Sequence, residues 1–110
     1  MTQSQEKRET VLVTGISGSL GTLIAKKLSH HYNVMGVDRR PLRSLKGVEH
    51  YELDLRRKSA YELLRKKQPQ SIIHLGVLRN PLKHHRGSTA NFFNLEITKQ
   101  LLRLAEEISV

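Results

Sequence analysis

The 110-residue chain contains no cysteine and no tryptophan. Without cysteine there is no disulfide, no thiolate metal ligand and no cysteine nucleophile. Aromatic residues make up only 5 % of it, so its core must be aliphatic. No window approaches the ~18 apolar residues that a membrane span requires. The opening MTQSQEKRET is polar and charged, with no apolar run behind it, and reads as neither a signal peptide nor an anchor. These absences point to the cytoplasm and away from a membrane partner. Acidic residues are also few, ten against nineteen Lys and Arg, for a net charge of +9. The basic residues fall in short scattered clusters: Lys26-Lys27, Arg39-Arg40, Arg56 to Lys58, Arg65 to Lys67, and LKHHRG at 82–87. No aromatics interleave with them to stack bases, so a solvated basic surface is favoured over a nucleic-acid platform. Phosphate-bearing small ligands remain open.

What is present alternates between two periodicities. TVLVT (10–14) is a short β-rich run. In LGTLIAKKLSHH (20–31), Leu20, Leu23, Ile24 and Leu28 share one helical face and Lys26 and Lys27 turn away. YNVMGVD (32–38) is strand-like, residues 39–47 form a loop broken by Pro41 and Gly47, and VEHYELDL (48–55) alternates as a third strand. Ser59 with Glu62 forms a capping-box pattern ahead of a helix over 60–68, stopped by Pro69. SIIHL (71–75) is a fourth strand, and a loop containing Pro81 and Gly87 follows. From Asn91 to Ser109 an amphipathic helix sets Phe92, Leu95, Thr98, Leu102 and Ala105 along one stripe, flanked by Leu101 and Ile108. Strands alternating with helices call for an α/β fold, a doubly wound parallel sheet with right-handed crossovers.

Three of the seven glycines, Gly15, Gly18 and Gly21, fall between the first strand and the first helix. Each has a mechanical reading. Gly15 turns the chain sharply off the strand, Gly18 presents no side chain to an approaching pyrophosphate, and Gly21 lets helix and strand pack closely. The unpaired first-turn amides of that helix carry partial positive charge and suit phosphate oxygens. Asp38 closes the second strand 23 residues after Gly15, where a carboxylate can accept hydrogen bonds from an adenosine ribose. A carboxylate there suits the free 2′-hydroxyl of NAD and repels the 2′-phosphate of NADP. Arg39 and Arg40 could hold that phosphate if the Asp swings aside. NAD is the favoured cofactor.

TGISGSLG, with its Gly-x-x-Gly-x-x-Gly spacing, resembles the nucleotide-binding signature of short-chain dehydrogenases/reductases, specifically the extended branch of NAD-dependent epimerases/dehydratases. Four later segments are similar in order and register: VDRRP (37–41), ELDLR (52–56), SIIHLGV (71–77) and NLEITKQLLRLAEE (94–107). The resemblance implies a Rossmann-type sheet of which this chain supplies the first four strands, in order 3-2-1-4 and incomplete. Residues 1–9 form a polar tail and 10–110 the N-terminal part of an NAD(P)-binding domain belonging to a longer chain. It implies a dinucleotide site made by Gly15, Ser17, Gly18, Ser19, Leu20, Gly21, Asp38, Arg39, Asp54, Leu55, Leu75, Gly76 and Val77. In that site the Asp54 carboxylate and the Leu55 amide read the adenine edge. Two residues depart from the family pattern. Gly76 stands for an alanine, keeping the backbone open beside the cofactor. Ile97 stands where glycine is common, adding bulk to a helix face away from the cofactor.

The family's catalytic Tyr-x-x-x-Lys pair is not in this chain: position four after each tyrosine is Gly36, Leu55 or Arg65. Tyr61 lies on the apolar face of its helix and reads as core. No catalytic residue is assigned, and no metal site; His30-His31 and His84-His85 read as solvated surface. His74 reads as scaffold. The fourth strand, apolar on both sides, would be an exposed edge, so a homodimer is a second way to cover it. The leading expectation is the cofactor half of an enzyme passing hydride between nicotinamide and a small-molecule substrate such as a nucleotide sugar. The alternative is a non-catalytic NAD(P)-binding regulatory module.

Overall fold

The computed structural model describes residues 8–77 and 88–110, with the side chains of 88–90 excepted. Its elements run β1 (Thr10–Thr14), α1 (Ser19–Leu28), β2 (Asn33–Asp38), β3 (Val48–Glu52), α2 (Lys58–Lys67), β4 (Ser71–His74) and α3 (Ser88–Glu107). All strand pairs are parallel, and the sheet order is β3-β2-β1-β4. That is the expected order of the first half of a doubly wound sheet.

β1 occupies the centre because its alternate residues serve both faces. Val11 and Val13 join Ile16, Ala25 of α1 and Val34 in one buried cluster. Leu12, between them, joins Met35 and Val37 with Tyr61 and Leu64 of α2 and Ile97, Leu101 and Leu104 of α3 in the other. Helices therefore cover both faces of the sheet. Leu42 and Leu45, from the segment after β2, pack on the α1 side. Arg8 and Glu9 already belong to the fold: the Glu9 carbonyl accepts the Asn33 amide at 2.9 Å and the Arg8 carbonyl accepts Asn33 Nδ2 at 3.2 Å. Among the described residues no helix is long and apolar enough to cross a membrane.

Two helix faces differ from the sequence expectation. In α1 the buried residues are Gly21 and Ala25, while Leu20 and Leu23 are 56 % and 52 % exposed. The helix approaches the preceding turn so closely that its smallest side chains take the contact line, displacing the leucines sideways. In α3 the buried stripe is Ile97, Leu101 and Leu104, and Phe92, Leu95 and Leu102 are exposed. Leu101, expected as a flank, is core. More than half the circumference of this helix is apolar, so periodicity alone cannot choose which side meets the sheet. The capping box is also absent: α2 begins at Lys58, its N-cap is Arg57, and no side chain caps it. Ser59 lies exposed in the first turn. β3 ends at Glu52, and residues 53–57 form a turn rather than the continuation of the strand.

Candidate functional site

A cleft of about 690 Å³ opens at the carboxyl ends of the strands, beside the point where the chain crosses from one side of β1 to the other. Open α/β sheets bind ligands at such a switch point. All thirteen residues expected from the sequence line this one cleft, from Gly15 through Asp38 and Asp54 to Val77. Val37, Arg40, Leu53 and Ile97 line it as well.

The glycine turn divides its labour. Gly15 adopts φ +74°, and a Cβ there would meet the Gly76 amide nitrogen at 2.7 Å. A Cβ on Gly21 would overlap the Gly15 carbonyl oxygen. Both are therefore demanded by the fold itself. Gly18 is different: a Cβ would find only ordinary contacts, 3.5 Å to the Gly15 carbonyl and 3.6 Å to Arg40 Nη2. Its bareness serves the open cleft rather than the packing. Gly18 is the N-cap of α1 in an extended conformation with no side-chain cap. The first helical bond runs from Thr22 N to Gly18 O, and the amides of Ser19, Leu20 and Gly21 take no protein acceptor among the described residues. A helix start of this kind carries unpaired donors and partial positive charge at the cleft.

Asp38 is largely buried, its side chain 8 % exposed, and both its oxygens are fully engaged. Oδ2 accepts the Ser17 amide at 3.0 Å and Arg40 Nη2 at 3.3 Å. Oδ1 accepts the Arg40 amide at 2.9 Å and Arg40 Nε at 3.2 Å. Burial by itself raises this carboxyl. The Arg40 guanidinium and the two amides outweigh burial and hold it below its ordinary 3.8. The Ser17 hydroxyl shares its single proton between the Arg40 and Pro41 carbonyls, each at 3.1 Å. Ser17 thus staples the glycine turn to the end of β2 through its amide and to the segment after β2 through its hydroxyl.

The turn after β3 repeats the device. Asp54 accepts the Arg56 amide at 2.9 Å and the Arg56 guanidinium at 2.8–3.2 Å. The Arg56 side chain is the main cause of a carboxyl lowered from 3.8, against a smaller opposing effect of burial. Leu55 is buried at the cleft, and the Tyr61 hydroxyl donates to its carbonyl at 2.7 Å. Burial, reinforced by the charge of Asp54, pushes the Tyr61 phenol up to about 12. Tyr61 is core, as its position on the helix suggests.

On the far side of β1, Thr14 is fully buried and its Oγ1 accepts the amides of Leu75 at 3.0 Å and Gly76 at 2.9 Å. The same oxygen lies 2.6 Å from His74 Nδ1. His74 is scaffold, with its imidazole lowered from 6.5 by burial. Within α3, the Thr98 hydroxyl donates to the Asn94 carbonyl at 2.9 Å.

Two expectations change. Ile97 does not stand apart from the cleft: it is 5 % exposed and forms part of the lining. Its bulk fills the space between α3 and the sheet next to Leu55, which a glycine would leave open. Arg40, considered in the sequence only as a phosphate partner, is already on the Asp38 carboxylate. The Asp-x-Arg spacing, present twice, was the available signal. Among the described residues no group of three or more His, Asp or Glu side chains is placed to hold a metal. His84 and His85 lie outside the described residues.

A model of the NAD dependent epimerase/dehydratase family matches residues 11–110. The epimerase Mth375 from Methanothermobacter thermautotrophicus superposes with a TM-score of 0.79 at 19 % identity, over 98 % of this chain and 35 % of that one. A short-chain dehydrogenase/reductase superfamily protein from Agrobacterium tumefaciens with bound NAD gives 0.77 at 26 % identity, over 93 % and 30 %. MoeE5 in complex with UDP-glucuronic acid and NAD gives 0.69 at 26 % identity, over 92 % and 34 %. Among curated proteins none matches the chain. The chain spans about a third of the length of these solved structures. Its matched span, parallel sheet and glycine turn agree: this chain belongs to the NAD dependent epimerase/dehydratase family.

Proposed function

We propose that this chain holds the NAD of an enzyme that moves hydride between the nicotinamide and a hydroxyl-bearing substrate, a nucleotide sugar being the best-supported class. One observation carries the reading: a single cleft at the switch point joins three helix amides with no protein acceptor among the described residues, a glycine where a Cβ would meet only ordinary contacts, and a carboxylate at the end of the adjacent strand. The residues present fit a dinucleotide. The amides of Ser19, Leu20 and Gly21 would take the pyrophosphate oxygens, and Asp38 the adenosine ribose hydroxyls. Asp54 and the Leu55 amide would meet the adenine edge, with Leu55 held in place by Tyr61. Leu75 and Gly76, fixed to β1 by Thr14, would form the wall toward the nicotinamide together with Val77. When bound, the cofactor supplies the hydride acceptor or donor.

The substrate class rests on a likeness. MoeE5 is described with UDP-glucuronic acid or UDP-glucose beside its NAD, and shares 26 % identity over 92 % of this chain.

The test is calorimetric titration of the purified chain with NAD, alongside Gly18→Val and Asp38→Ala. Gly18→Val should abolish binding while the far-ultraviolet spectrum stays native, because a Cβ at this position meets only ordinary contacts within the protein. Asp38→Ala should weaken binding at least tenfold. Unchanged affinity in both variants removes the site assignment.

A further inference from the structure

The ribose acceptor of this cleft is already occupied by the protein. Asp38 accepts four hydrogen bonds, two from backbone amides and two from the Arg40 guanidinium. A carboxylate offers about four lone-pair directions, so no acceptor position is left for two ribose hydroxyls. The four bonds are not equivalent. The Ser17 and Arg40 amides are at 3.0 and 2.9 Å and belong to a backbone that the Ser17 hydroxyl pins in place. The guanidinium bonds are longer, 3.2 and 3.3 Å, and the Arg40 side chain is 65 % exposed. Asp38 itself is largely buried, but the guanidinium lies mostly in water, where its hold is weakened and screened by salt. The Asp cannot swing aside, because two amides hold it. The arginine can.

Arg40 Nη2 also lies over Gly18, 3.6 Å from where a Cβ would stand. The guanidinium therefore covers both the carboxylate and the bare glycine.

Resting on the dinucleotide reading above, we propose that Arg40 sets cofactor discrimination in this chain, as a displaceable cover on Asp38 whose effect has opposite sign for the two cofactors. For NAD, the ribose hydroxyls must replace the guanidinium on Asp38, so Arg40 is a competitor. For NADP, the 2′-phosphate arrives beside a carboxylate that repels it. The displaced guanidinium, still tethered by a pinned backbone, is the cation within reach to neutralise it. Arg39 lines the same cleft and carries the same charge, but it makes no bond to Asp38 among the described residues.

The experiment is titration of the full chain with NAD and with NADP, comparing wild type, Arg40→Ala, Arg40→Lys and Arg39→Ala. Arg40→Ala should tighten NAD two- to fivefold and weaken NADP at least tenfold. Arg40→Lys keeps the charge but loses the fork, and should tighten NAD while retaining part of the NADP affinity. Arg39→Ala should weaken both cofactors alike. As a structural readout, the Arg40 Nε–H resonance of wild type should shift on adding NAD. A loss of affinity for both cofactors in Arg40→Ala, no change in either, or the same opposite-sign pattern in Arg39→Ala each overturns the proposal alone. A wild-type chain that binds neither dinucleotide overturns the underlying reading and this inference with it.

Discussion

Asp38 and Asp54 end neighbouring segments on one side of the cleft, and each is followed two residues later by an arginine. In both turns the arginine amide bonds to the carboxylate at 2.9 Å and the guanidinium folds back onto it. What lies beyond the guanidinium differs. Arg56 sits over the ring of Phe93 from α3, 5.4 Å from its centre, and is 36 % exposed. Arg40 has water and a bare glycine beyond it, and is 65 % exposed. The same local spacing thus makes an anchored clamp in one place and a removable cover in the other. The partner across the fold, rather than the motif, decides which.

The largest test of that contrast is cofactor affinity. Asp38→Ala should cost about tenfold or more, on the scale of lost hydrogen bonds to a charged group. Asp54→Ala should cost only a few fold, because the Leu55 amide remains; equal losses by calorimetry would erase the distinction. Next comes the support beneath Leu55. Tyr61→Phe strips the donor from a buried carbonyl and should lower stability by about 1–3 kcal/mol in urea denaturation. A stability equal to wild type would mean that water replaces the phenol. Arg56→Ala should lower stability by about 1 kcal/mol through loss of the ring contact and the paired carboxylate. Arg40→Ala should stay within about 0.5 kcal/mol of wild type, and a reversed ranking of these two would contradict the assignment of anchor and cover.

The smallest effect lies in acid. Both carboxyls are held below 3.8 in the folded state, so the stability they contribute is present above about pH 4 and is lost as pH falls through their folded values. The arginine side chain is the largest lowering influence at each carboxyl, but without it Asp38 keeps two backbone amides and Asp54 only one. Arg56→Ala should therefore move the acid unfolding midpoint upward by more than Arg40→Ala does, as followed by circular dichroism.

Much of this architecture was legible in the chain. The strands announce themselves by alternation, as in Val11-Leu12-Val13, whose side chains go to opposite faces. The glycine spacing located the cleft because glycine has few other reasons to recur between a strand and a helix. Helix faces were harder. In α1 the side chains nearest the sheet are Gly21 and Ala25, which hydrophobic patterning ranks lowest. In α3, Leu95 and Leu101 are equally apolar, and only the position of the sheet makes one exposed and the other core. The capping pattern at Ser59 failed because the Asp54 turn had already set the start of α2 one residue earlier than its serine, at Lys58. Arg40 was hidden for another reason: sequence shows that an arginine is near a carboxylate, but not which of the two can move.

Thr14 carries a consequence of its own. A hydroxyl has one proton and two lone pairs, and here both lone pairs are taken by the amides of Leu75 and Gly76. Its single proton is then free for His74 Nδ1, an arrangement that suits the uncharged imidazole protonated at Nε2. A second proton on that ring would leave two hydrogens facing each other across 2.6 Å. Burial already lowers this imidazole from 6.5, so protonating it should cost the Thr14–His74 contact, at the spot where Leu75 and Gly76 enter the cleft.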